Sequence, residues 1–342
     1  MMKKTQIGLL AAASLLLLQA PFVSFAGAWE KENGVYVNAS GGAISGAVSR
    51  GVSVSKYQGT IDWARVRADD ISFAMPRLGY LNSEDPTFDF NMRQAAANGI
   101  DTGLYLYSQA LSVEQAREEA RFAVRRALEY RVSYPIAIDL ESQWLILHEL
   151  SVQELTDIVN AFCSEVEAAG YYPVLYVNHK WMTEKVDMSQ IPYDVWYARY
   201  KDLTEFPAGM GIWQSTQNGS VDGIEGDVCL EFSFLADKSK LPADTWHKVD
   251  GAWYYCRNYE KQTGWCEVNG VWYYLDPQRQ GMMAADTVME INGVSCRFSP
   301  DGAWMPERKE TSPMQAGAAG NDTLSGNGAK NTPGGPADAA GL

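Results

Sequence analysis

The sequence predicts an α/β chain: a modified (β/α) barrel of the TIM type, followed by a small all-β solenoid of aromatic hairpin repeats. Three observations carry that prediction. Residues 49–238 alternate short apolar runs with amphipathic helical stretches, the pattern of strands covered by helices. Residues 245–305 repeat an aromatic unit around Asn-Gly or Asp-Gly pairs. Of 342 residues, 46% are hydrophobic and 20% charged, which is enough for one large core and a smaller one.

From the N-terminus, Lys3 and Lys4 precede an apolar stretch, Ile7 to Leu18, and small residues Ser24 and Ala26 close it. A basic start, a short apolar run and a small-residue cleavage site describe a secretory signal over residues 1–26; a retained anchor is the alternative. Export and a wall-associated or secreted location follow. Residues 27–48 are rich in Gly, Ala and Ser and read as a linker, although Trp29-Glu-Lys-Glu-Asn33-Gly34-Val-Tyr36 echoes the later repeat.

Expected strands in the large region are Val52–Ser55, Ile71–Arg77, Thr102–Tyr107, Ile136–Leu140, Pro173–Val177, Val195–Tyr200, Ile212–Thr216 and Val228–Phe232. Ser112-Val-Glu-Gln115 and Ser151-Val-Gln-Glu154 are capping boxes that open helical runs. Cys163 falls on the apolar stripe of the second run, with Leu155, Ile158, Val159, Phe162 and Val166, and reads as a buried small hydrophobe. Eight strands with interposed helices suit a closed barrel, though the count alone leaves a doubly wound sheet open.

In the small region, Trp246-His-Lys-Val-Asp250-Gly251-Ala-Trp253-Tyr-Tyr matches Trp265-Cys-Glu-Val-Asn269-Gly270-Val-Trp272-Tyr-Tyr at an offset of 19. Asn292-Gly293 and Asp301-Gly302-Ala-Trp304 look like degenerate continuations, leaving two well-formed repeats. Such pairs between aromatic strand residues mark hairpins, because both turn positions want positive φ. Cys256 and Cys266 are near enough for a bridge to be considered. From residue 306 to 342 the chain is rich in Gly, Ala and Pro and has no aromatic residue, so it reads as a disordered tail.

Charge excludes whole classes of partner. Lys and Arg total 28 against 42 Asp and Glu, a net charge of −14, which gives no basic face for nucleic acid and no polybasic patch for a membrane surface. His148, His179 and His247 are scattered and no Cys/His cluster has metal-ligand spacing, so neither a metal nor a cofactor is expected.

The motif richest in chemistry is Ile136-Ala-Ile-Asp139-Leu-Glu141-Ser. Alternation along a strand puts Asp139 and Glu141 on one face, with Cα atoms roughly 6.5 Å apart. At the C-terminal mouth of a barrel strand, close carboxyls push one pKa upward and leave one group protonated as an acid. Glycoside hydrolysis uses such a pair; two ordinary solvated acids are the bland alternative.

Residues 50–236 resemble glycoside hydrolase family 25, the Chalaropsis-type lysozymes that cleave bacterial cell-wall glycan. The resemblance runs through Gly51-Val-Ser-Val-Ser-Lys-Tyr57-Gln58-Gly59, Ile61-Asp-Trp63 and Phe73-Ala-Met-Pro-Arg77-Leu-Gly79-Tyr80. It continues through Gly103-Leu-Tyr105-Leu-Tyr107-Ser108, Asp139-Leu-Glu141, Trp196-Tyr-Ala-Arg-Tyr200, Trp213-Gln214 and Gly223-Ile-Glu-Gly226-Asp-Val228. It implies Glu141 as general acid, Asp139 as its assistant at the N-acetyl sugar, and peptidoglycan as the substrate, cut between N-acetylmuramic acid and N-acetylglucosamine. It also implies a groove shaped by Tyr57, Arg77, Tyr105, Tyr107, Trp196 and Trp213, with Ser53 and Cys229 standing where the family carries acids. A His is also common where Leu106 stands. Neither Ser nor a neutral thiol can hold negative charge against a cationic transition state. Two expectations therefore compete: an active enzyme relying on Asp139 and Glu141, or an impaired one that binds glycan without cutting it. Glu231, on the same strand face as Cys229, is a candidate displaced carboxylate.

The repeats resemble the choline-binding type of cell-wall-binding repeat, through Gly264-Trp265 and Trp272-Tyr-Tyr274. That likeness implies a ligand face drawn from Trp246, Trp253, Tyr254, Trp265, Trp272 and Tyr273. Choline on teichoic acid or another wall glycan group would be held by aromatic faces. The same aromatics also suit a plain hairpin core.

Overall fold

The computed structural model describes residues 29–38, 42–80, 83–201 and 209–306. The signal over 1–26 and the tail beyond Pro306 lie outside them. Eight strands close a ring: β3 (Ser49–Val54), β4 (Phe73–Tyr80), β5 (Leu104–Tyr107), β6 (Ile136–Asp139), β7 (Pro173–Asn178), β8 (Asp194–Ala198), β9 (Met210–Gly219) and β10 (Val228–Ser233). Closure of β3 onto β4 decides for a barrel over a doubly wound sheet. Neighbours are parallel except that β10 runs antiparallel to both β9 and β3. The expected strands are all present, with ends displaced by at most three residues.

Helices α1 (Trp63–Ala68), α2 (Phe88–Ala97), α3 (Val113–Ala127), α4 (Gln143–Leu147), α5 (Val152–Ala168) and α6 (His179–Glu184) follow the first five barrel strands. Ser151 and Glu154 complete a capping box on α5. On α3, Ser112 caps the Gln115 N–H, but the Gln115 side chain reaches back to the Leu111 N–H instead, at 2.7 Å. Alanines at 116, 120, 123 and 127 give α3 a low-profile buried face, and Arg121 ties it to Glu165 of α5 at 3.0 Å. Cys163 is fully buried on α5, as its apolar stripe predicts. All five cysteines are free thiols, so Cys256 and Cys266 are not bridged.

Among the described residues no helix follows β8 or β9, and no helix is long and apolar enough to cross a membrane. The outer faces of β9 and β10, with Trp213 and Phe232, need another cover. Residues 29–38, read as linker, supply it. They form a hairpin of β1 (Trp29–Glu32) and β2 (Val35–Asn38) around Asn33-Gly34. Tyr36 is 1% exposed, with its ring 5.3 Å from Phe232, and Trp29 lies 6.4 Å from the same ring. The buried Arg50 guanidinium stacks 3.7 Å over Trp29 and donates to the Asp69 carbonyl at 3.0 Å. The linker reading of 27–48 does not hold over 29–38, where the echo of the later repeat forms a hairpin whose two aromatics, however Gly-rich their flank, give it an apolar face to bury.

The C-terminal region is three hairpins rather than two: β11 (Thr245–Val249) with β12 (Ala252–Arg257), β13 (Gly264–Val268) with β14 (Val271–Asp276), and β15 (Thr287–Ile291) with β16 (Val294–Phe298). Asp250, Asn269 and Asn292 take φ near +50° before glycines at +80°, the geometry such turns demand. Trp246 packs on Tyr273 of the next hairpin at 5.0 Å, and Trp265 on Phe298 of the third at 5.8 Å. The third unit, marked in the sequence only by the degenerate Asn292-Gly293, is a full hairpin although Ser295-Cys296-Arg297 replaces the Trp-Tyr-Tyr of the other two.

The hairpins sit on the base of the barrel, away from the strands' C-terminal mouths. His247 stacks on Tyr171 at 4.0 Å, in the turn between α5 and β7, and the Lys248 N–H donates to the Ala169 carbonyl at 3.2 Å. Arg125 of α3 pairs with Asp250 at 3.3 Å. Burial pushes His247 down to about 4, so this clamp is neutral.

Candidate active site

Asp139 is the last residue of β6, level with Tyr107 of β5 and Tyr176 of β7. It is 5% exposed, and its Oδ1 has no hydrogen-bond partner among the described residues. Burial, reinforced by the charge of Glu141 and opposed by Arg77, holds its carboxyl well above the usual range. Glu141 follows two residues later, half-buried at the mouth. Burial raises its pKa, opposed by a hydrogen bond from Asn178 Nδ2 to its Oε2 at 2.9 Å. Asn178 caps α6, its Oδ1 accepting from the Trp181 N–H at 3.1 Å, so the amide is locked with its nitrogen toward Glu141. Two carboxyls that both resist ionisation hold a proton at a pH where free acids have lost theirs.

Around them stand most of the expected residues. Tyr105 and Tyr107 point inward beside Asp139, and burial raises both phenols. Arg77 is a strut as much as a wall: Nη2 and Nε donate to Asp85 Oδ2 at 2.6 and 3.0 Å, and Asp85 has no exposed side-chain surface. Tyr57, 76% exposed, lies at the rim with the Arg77 guanidinium 5.3 Å from its ring. Trp196 is 1% exposed inside the barrel, between Tyr105 and Tyr176, so it supports the groove floor rather than facing solvent. Trp213 does not belong to the groove. Strand alternation turns it outward onto Phe232 at 5.8 Å, with Nε1 donating to the Arg199 carbonyl at 2.9 Å.

Its neighbour Gln214 points inward instead. With Tyr176 and Tyr200, it forms a polar floor that the sequence reading did not single out. The signal was present in the same Trp-Gln pair, since alternation admits only one of the two to the interior. Asn178 was missed likewise, although a polar residue between a strand and a helix start is a cap by position.

Ser53 and Cys229 face each other across β3 and β10. Burial, then Glu231, pushes the Cys229 thiol up to about 12, so it is neutral. Glu231 does share their face, but it is fully buried and burial holds its carboxyl well above the usual range. That burial opposes the displaced-carboxylate role the sequence suggested for it. Among the described residues no group of three or more His, Cys, Asp or Glu is placed to hold a metal ion.

The family model for glycosyl hydrolases family 25 matches residues 52–224. The chain belongs to that family. A second model, for a cell wall binding repeat, matches residues 244–258 and 263–278, the first two hairpins. Over 188 residues the chain is 29% identical to the uncharacterized protein YegX of Escherichia coli, covering 52% of this chain and 66% of that protein. It is 25% identical over 192 residues to lysozyme M1 of Streptomyces globisporus, covering 52% of this chain and 65% of that one. In fold it resembles the modular autolysin LytC of Streptococcus pneumoniae, with a TM-score of 0.54 and 22% identity, over 60% of this chain and 51% of that chain.

Of the six aromatics expected to form a repeat ligand face, Trp246, Trp265 and Tyr273 are spent on the stack between hairpins. Tyr254 stands opposite the buried His247 in register, and Trp272 lies edge-on to Trp265 at 6.5 Å. Trp253 is different. It is 39% exposed, has the Lys248 ammonium 5.5 Å from its ring, and lines a cleft of about 590 Å³ with Asp250, Asp276, Asp286 and Arg279.

Proposed function

We propose that this family 25 chain is an exported lysozyme-type hydrolase that cleaves the β-1,4 bond between N-acetylmuramic acid and N-acetylglucosamine in peptidoglycan. Glu141 is the general acid and Asp139 its assistant. The observation that carries this reading is the pair of proton-holding carboxyls at the mouth of β6, one with an unpartnered buried oxygen. An acetamido N–H donated to Asp139 Oδ1 favours the ionised form of Asp139, whose charge helps Glu141 keep its proton for the leaving oxygen. The acetamido carbonyl then attacks the anomeric carbon as the glycosidic bond breaks. That step demands no second anionic side chain, which accommodates Ser53 and Cys229.

The repeats hold the chain on the wall, and Trp253, whose ring already faces the Lys248 ammonium and whose cleft also carries Asp276 and Asp286, suits a cationic group such as choline on teichoic acid. One observation favours a second reading: a neutral serine and a neutral thiol at 53 and 229 also fit a protein that binds wall glycan without cutting it. Release of reducing ends from purified peptidoglycan separates the two. The mature chain is expected to release them and Glu141→Gln to lose about a hundredfold or more. No release by either, with both pelleting with walls, makes this a binding protein.

A further inference from the structure

Beneath the carboxyl pair lies a hydrogen-bonded chain that the reaction above does not use. Glu231 Oε1 accepts from Ser53 Oγ at 2.8 Å and from Gln214 Nε2 at 3.1 Å, while Gln214 Nε2 also lies 3.4 Å from Ser53 Oγ. At its other end, Gln214 Oε1 accepts from Tyr200 at 2.7 Å and from Tyr176 at 3.2 Å. Tyr176 stands level with Asp139, and burial, with Cys229 and Glu141 close by, raises the Tyr200 phenol. Gly51 stands opposite Glu231 in register and has no side chain to contest the space; a Cβ there would come within 2.5 Å of the Phe73 ring.

A carboxamide donates at one end and accepts at the other, so fixing one end fixes both. With an acceptor at Glu231, Gln214 must turn its nitrogen down and its oxygen up. The Tyr200 proton is then committed to Gln214 and the Tyr176 proton to Gln214 and Tyr200, so both protons stay within the network and phenol lone pairs are left for the groove. A flipped amide would donate to the phenols and turn their protons outward. Lone pairs favour a sugar that is becoming positive, and protons oppose it.

We propose that Glu231 is a positioning residue: by accepting from Gln214 and Ser53 it sets the Gln214 amide so that Tyr176 and Tyr200 present oxygen lone pairs to the reacting sugar. The inference rests on the hydrolase reading above. It gives the barrel a source of negative potential in place of the acids absent at 53 and 229. Glu231 needs no charge for this role, only a carbonyl-type acceptor.

The test compares kcat and KM on peptidoglycan fragments for the mature chain, Glu231→Leu, Glu231→Gln and Tyr200→Phe. Glu231→Leu is expected to lower kcat about tenfold or more while KM stays within about twofold. Glu231→Gln, which keeps a carbonyl, is expected to recover most of that loss, and Tyr200→Phe to lose part of it. A folded Leu variant with undiminished kcat, or a Gln variant as impaired as Leu, overturns the proposal. If the Leu variant does not fold, undiminished kcat in Tyr200→Phe overturns it as well. A second readout does not need turnover: the Tyr200 phenol, titrated by difference absorbance against Tyr200→Phe. Both Glu231 variants remove a carboxyl that helps raise this phenol, and the flipped amide in Glu231→Leu would donate to the phenolate and lower its pKa further than in Glu231→Gln. A folded Leu variant that shifts no further than Gln overturns the proposal, whereas an inactive mature chain that shows the larger shift in Leu overturns only the hydrolase reading.

Discussion

Arg77→Met tests whether the groove wall is held by an ion pair. Asp85 has no exposed side-chain surface and Arg77 is 16% exposed, with 2.6 Å between Nη2 and Oδ2. Burial alone would raise the Asp85 pKa, but hydrogen bonds from Thr87, Arg77 and Lys56 hold it below its ordinary value. Removing one partner of a buried pair costs about 3–5 kcal/mol, because the other charge is left stranded. Here Asp85 keeps the Thr87 N–H at 3.0 Å, the Thr87 hydroxyl at 2.8 Å and the Lys56 N–H at 3.1 Å. The loss should therefore fall at or below the low end, about 2–3 kcal/mol at neutral pH. A depressed carboxylate pKa gives stability that is present above the unfolded value of 3.8 and is lost as pH falls through the lower folded value. The deficit of Arg77→Met is thus largest at neutral pH and shrinks in acid, where Asp85 is protonated in both proteins. Urea unfolding of the barrel at neutral pH and in acid measures it, and Arg77→Met with Asp85→Asn should recover part of the loss at neutral pH. A neutral-pH deficit below about 1 kcal/mol, or one that grows in acid, refutes the strut.

Two further outcomes follow from burial. Tyr36→Ala should cost the barrel about 3–5 kcal/mol in urea unfolding, as for other buried aromatics, and Tyr36→Phe only about 1; a small loss in the alanine variant would return residues 29–38 to the status of linker. Glu119, buried on α3 and raised to about 7, accepts from Ser108 Oγ at 2.7 Å and the Gln109 N–H at 3.0 Å. Its folded pKa lies above its unfolded 4.5, so its contribution is full below that value and is lost as pH rises through about 7. Glu119→Gln should match the parent in acid and exceed it at alkaline pH by about 1–3 kcal/mol; equal stability at both ends rejects the assignment.

The parts of the fold legible in the sequence were those written in periodicity. Strand alternation and helix caps located the eight barrel strands, and Asp139 with Glu141 emerged from one strand's parity. Parity also explains what went astray. Trp213 and Gln214 sit side by side, and the larger, more conspicuous residue was placed in the groove while the strand turns it outward. The role of residues 29–38 was illegible for another reason. Nothing local says that β9 and β10 lack helices to cover them, so the need for Tyr36 and Trp29 arises only once the ring is closed. The Glu231 network is harder still, since it joins Ser53, Gln214 and Glu231 from three strands, and its meaning lies in which end of an amide faces which neighbour.

The placement of the two modules has a consequence for how a wall-bound chain would work. The carboxyls stand at the C-terminal mouths of the strands, and the hairpins are clamped to the opposite end through His247, Lys248 and Asp250. Barrel strands of six residues, such as Pro173–Asn178, span about 20 Å. A flexible tether would let the groove sample strands on every side of its anchor. A docked base instead points the groove away from the hairpins, so a chain held through its repeats would present the groove a barrel's height from its anchor. The clamp suits that division of labour, because a stacked, neutral histidine and a backbone hydrogen bond depend little on salt, whereas the exposed Arg125–Asp250 pair adds little strength of its own.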